Sequence, residues 1–271
     1  MMKIGILKQF STDLLRDRLE PLGFQRRGNA WYKTVPDIIL CAEVRSLRGK
    51  AFDLCFGIVP FVCYSKFKLN LSCFQPDGAY RRMYPDKEKQ FYSELYEMTI
   101  NPSPRFSFSI DSTERELKDE RKYHVLLKYW GEVFDKMIAP FLLNVNDLIG
   151  AVAAIGEYNK FNGHWSSDEG RLIHDVHYWP DHTPVFVKLG QIDEAEKCLE
   201  SFVKDRIKDH GADRVEKLAD DARDSNNLSS LFLWYKMLRD NDVDGMNKAI
   251  QTLESEARAW IKKEKLNIVT E

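Results

Sequence analysis

Apolar residues recur every three or four positions from Ile4 to Leu22, at Ile6, Phe10, Leu14, Leu15, Leu19 and Leu22. This spacing predicts a helix with one buried stripe. Pro21 and Gly23 end it, because proline cannot continue a helix and glycine accepts a left-handed stop. The period then falls to two. Trp31–Val35 and Ile38–Ser46 read as strands around a Pro36-Asp37 turn, and residues 46–50 read as the loop of a second hairpin. In the strand that follows, Phe52, Leu54, Phe56 and Ile58 share one face, with Asp53, Cys55, Gly57 and Val59 on the other. Such alternation predicts an antiparallel sheet with one face on a core. A short helix over 86–97, a further strand over Phe106–Ile110 and a long helix over 116–138 complete this half. The long helix carries Val125, Leu126, Trp130, Val133 and Met137 as its stripe.

Beyond Pro140 the alternation gives way to helical spacing. The apolar run 141–156 is shorter than the ~20 residues needed to cross a bilayer. It is also interrupted by Asn144, Asn146 and Asp147, and reads as a buried helix. Windows 190–202 and 241–253 match at a constant offset of 51, pairing Ile192 with Val243, Ala195 with Met246, Leu199 with Ile250 and Phe202 with Leu253. Asp193 and Asp244 occupy equivalent positions and read as helix N-caps. The two units resemble tetratricopeptide-like helical hairpins, although the offset exceeds the usual ~34-residue repeat. The expected fold is therefore α+β: a helix plus antiparallel sheet over residues 1–140, then an all-α hairpin region over 141–271.

The segment Leu22-Gly23-Phe24-Gln25-Arg26-Arg27-Gly28-Asn29-Ala30-Trp31-Tyr32-Lys33 follows the first helix and precedes the meander. It resembles the opening of the bacterial domain of unknown function 4304, over about residues 5–135. That resemblance implies an α+β domain and no established activity or catalytic residue. In physical terms, Gly28-Asn29 supplies a tight turn between Phe24 and Trp31 as anchors. Arg26, Arg27 and Lys33 are the candidate anion-binding edge.

Charge modifies the picture only locally. The chain of 271 residues has a formal charge of -2, which gives no overall field toward nucleic acid or acidic lipid. Residues 1–140 hold 23 Lys/Arg against 18 Asp/Glu, a balance of +5, while residues 141–271 stand at −7. The halves can attract one another, or the first can attract an acidic partner. Basic density is too low to predict nucleic-acid binding, even around Arg81-Arg82. The five cysteines, Cys41, Cys55, Cys63, Cys73 and Cys198, form no Cys-x-x-Cys pair and read as reduced thiols. With no secretory signal evident, the expected location is cytoplasmic.

Four of the six histidines fall within 164–182. If 168–179 is helical, His174 and His177 lie about 60° apart on one face, and with Asp175 they form a candidate divalent-metal site. The His174-Asp175 doublet is superficially similar to that of metal-dependent phosphohydrolases, with His124 and Asp193 as the nearest further ligands. Phosphate-binding loops, dinucleotide fingerprints, nucleophile elbows and His-Glu-x-x-His are all missing. Two functional readings follow. One is a non-catalytic protein-binding module without a cofactor, and the alternative is a metal-dependent phosphate-ester hydrolase using His174, Asp175 and His177.

Overall fold

The structure, a computed structural model, describes residues 4–47, 51–63, 80–81, 83–96, 114–162, 164–166, 171–173, 180–211 and 227–267. It is an α+β fold. Helix α1 (Ile4–Leu19) buries Phe10, Leu14, Leu15 and Leu19. A 3-10 turn, Glu20–Leu22, follows, and Gly23 stops it at φ 83°. The tighter turn advances each side chain by more than an α-helix does. Leu22 consequently leaves the predicted stripe and is exposed.

Four strands form an antiparallel meander in sequence order: β1 (Gln25–Arg27), β2 (Ala30–Val35), β3 (Ile38–Leu47) and β4 (Ala51–Pro60). Arg27 pairs with Ala30 and Val35 with Ile38, so both tight turns fall where the sequence places them. Gly28 (φ 68°) serves the first turn and Asp37 (φ 59°) the second. The β3–β4 pair is ten residues long, from Ile38 opposite Pro60 to Leu47 opposite Ala51. The predicted strand 106–110 lies outside the described residues.

Trp31, Leu40, Phe52, Leu54 and Phe56 face a core shared with α1 and with α4 (Glu120–Val133). The second face is covered too, contrary to the one-sided sheet expected from the alternation. Ile39, Val59 and Phe61 meet Ala257, Ile261 and Leu266 of the C-terminal segment, and Cys41, Cys55 and Asp53 are also buried. Strict alternation concealed this because Val59 and the cysteines are small apolar groups that suit either side.

Helix α2 (Pro85–Tyr96) packs on α4. The helix predicted over 116–138 is divided: α3 (Glu114–Lys118) ends before Asp119, whose carboxylate caps α4 by accepting from the Lys122 amide at 3.1 Å. A π-helical turn, Phe134–Ile138, then leads into α5 (Ala139–Leu142). The run predicted as one buried helix over 141–156 also breaks, because Asp147 caps the Gly150 amide at 2.7 Å and starts α6 (Leu148–Asn162). Among the described residues no helix is long and apolar enough to cross a membrane. The main core runs on past Pro140 through Leu142, Leu148, Ala151, Ile155 and Tyr158, so both halves contribute to it.

Residues Arg171–Ile173 form a strand, β6, paired with β5 (His164–Ser166), so the helix on which the His174/His177 geometry is conditional does not extend over 171–173. Two helical hairpins follow. The first is α7 (Thr183–Lys188) with α8 (Ile192–His210), and the second is α9 (Asn227–Arg239) with α10 (Val243–Lys263). Their turns are equivalent at the offset of 51. The Gln191 amide donates to Phe186 O and the Asp242 amide to Met237 O, each at 2.8 Å, with Gly190 (φ 70°) and Asn241 (φ 50°) in the left-handed position. This is the Schellman stop. It shifts the caps away from Asp193 and Asp244, which lie in the first helical turns instead. Asp242 caps α10 by accepting from the Gly245 amide at 2.9 Å. Ala195, Leu199 and Met246 are buried between the hairpins, whereas Ile192 and Val243 stand exposed at the helix starts.

Candidate binding groove

Antiparallel packing of α2 on α4 leaves a shallow open groove beside the buried Tyr80. Each helix contributes one stripe at intervals of three and four. Phe91 and Tyr129 form the floor, stacked at 4.1 Å between ring centroids. Tyr80 closes one end, edge-on to Tyr129 at 5.4 Å. Two ion pairs bridge the walls in opposite senses, Lys87 to Glu132 at 3.8 Å and Lys128 to Glu94 at 3.4 Å.

The rim charges differ in how firmly they are held. Glu132 accepts from the Tyr80 hydroxyl at 2.8 Å and has Lys136 at 3.7 Å as well as Lys87. Glu94 accepts from the Gln90 amide at 2.6 Å. Burial, then the neighbouring Glu132, pushes the Tyr80 phenol above its ordinary range, so it remains the donor in that bond. The lysines reach their carboxylates only at long range. Lys87 and Lys128 are 44% and 57% exposed, against 29% for Glu132 and 34% for Glu94. The stripe expected from the sequence, Val125, Leu126, Trp130, Val133 and Met137, shares only Val125 with the groove wall and leaves out Lys128, Tyr129 and Glu132. The repeated pattern Lys87-Gln90-Phe91-Glu94 was the signal that could have found the facing wall.

Of the predicted anion-binding residues, Arg26 and Arg27 donate to backbone carbonyls. Arg26 donates to Gly28 O and Lys8 O, both at 2.9 Å, with Trp31 beneath its guanidinium. Arg27 donates to Glu264 O at 2.9 Å and Lys265 O at 2.7 Å, closing the end of α10. The Lys33 ammonium lies 5.9 Å from the Phe24 ring. His174, Asp175 and His177 lie outside the described residues. Of the other residues considered with them, His124 is exposed on α4 and Asp193 is exposed on α8. Among the described residues no group of three His, Cys, Asp or Glu side chains could hold a metal ion.

Two further polar clusters are present. Lys188 bridges Asp37 (2.6 Å) and Glu254, and Arg258 reaches Asp37 at 3.0 Å. Burial pulls the Lys188 pKa down, but the bonds its ammonium donates to Asp37 and Glu254 together outweigh it and leave it raised. On the sheet, Glu43 is raised by burial, opposed by Arg45 and by the Asn29 amide at 3.5 Å. The Cys63 thiol donates to Asp181 O at 3.2 Å, and burial holds both it and Cys198 protonated, the latter at about 12. Thiols so raised are poor nucleophiles. No family model, curated protein or solved structure matches this chain.

Proposed function

We propose that this chain is a non-catalytic, cytosolic protein-binding module that engages its partner through the α2–α4 groove. The groove carries the reading. It is open and shallow, a surface feature rather than an enclosed small-molecule site. Its aromatic floor inside a charged rim has the composition of an interface anchor point. The four described cysteines are free thiols, which suits a reducing compartment. The hairpins support the role by adding helical surface beside the main core.

The test is affinity capture of the full chain from its native cell, run in parallel with the Lys87→Glu/Lys128→Glu double variant. A stoichiometric partner retained by the native chain and lost from the variant is the expected result. Recovery of no such partner, or equal recovery on both baits, counts against the reading.

A further inference from the structure

We draw no further inference here: the strongest candidate, the side-chain cluster at the Pro180–His182 turn where the Cys63 thiol donates to Asp181 O at 3.2 Å and α8 packs with Cys198 buried, carries nothing because nothing in the structure shows the two sulfur atoms within bonding reach of each other.

Discussion

Against α1 and α4 the sheet presents Trp31, Phe52, Leu54 and Phe56, all buried and continuous with the aromatic cluster around Trp130. Against α10 it presents a smaller apolar set, Ile39, Val59 and Phe61. That smaller set is bordered by directional bonds: Asp37 to Lys188 and Arg258, Arg27 to two carbonyls, Thr34 to Asn267 O, and the Asn267 amide to Gln25 at 3.2 Å. Area removed from water dominates the first face. On the second, a modest apolar contact is aligned by hydrogen bonds and ion pairs that fix where the helix lies. Apolar contact is tolerant of sliding, whereas a fork of carbonyl bonds is not, so the second face obtains its register from polar groups.

The sharpest way to break this contrast is Phe52→Ala, which empties the first face and should cost about 3–5 kcal/mol by chemical denaturation. A loss under 1 kcal/mol would mean the first face is not held by packing. Next comes Asp37→Asn, which keeps a side chain tolerant of positive φ while removing both ion pairs. It should cost about 2 kcal/mol and raise hydrogen exchange in α10 ahead of α1. Asp37→Gly should lose somewhat less, because glycine relieves the left-handed backbone.

Lys188→Met should cost about 1–2 kcal/mol near neutrality. Because the folded pKa of Lys188 lies above its ordinary 10.5, its stabilisation is complete below that value and fades as pH rises through the raised one. The difference between wild type and variant should therefore shrink only in strong alkali. A gap unchanged from pH 8 to beyond 11 would show that the ammonium charge is not what matters. Arg27→Lys should lose about 0.5–1 kcal/mol, since lysine cannot span both carbonyls in one plane. The smallest effect belongs to Lys128→Glu in the groove, within about 0.5 kcal/mol, as for other exposed ion pairs. A larger destabilisation there would make the groove part of the fold's support rather than a free surface.

The sequence revealed periodic features well and long-range ones poorly. The α1 stripe, both tight turns, the ten-residue strand pair and the paired hairpins were readable because each depends on neighbours within a few residues. Breaks inside apolar runs were harder. Asp119 and Asp147 each start a new helix within a run that reads as one, since capping depends on side-chain rotamer and not on hydrophobicity. The covering of the second sheet face was not readable, because no local pattern at Ile39 or Val59 reports a helix about 200 residues away. The ion pairs across that face even run against the overall charge balance: the acid, Asp37, comes from the basic half and both cations come from the acidic half. The groove was half legible, its helices predicted but its facing stripes assignable only once they were set antiparallel.

The distance along the chain between β2–β3 and α10 also bears on how the molecule is made. Asp37 and Gln25 find their partners 221 and 242 residues later. At ~5–20 residues per second of synthesis, roughly 10–50 s separate the emergence of the meander from that of its cover. Throughout that interval Ile39, Val59 and Phe61 would form a bare apolar strip on a nascent domain, a natural point of engagement for chaperones. Any shortening of the chain that removes α10 would leave the strip open permanently and favour aggregation of the product.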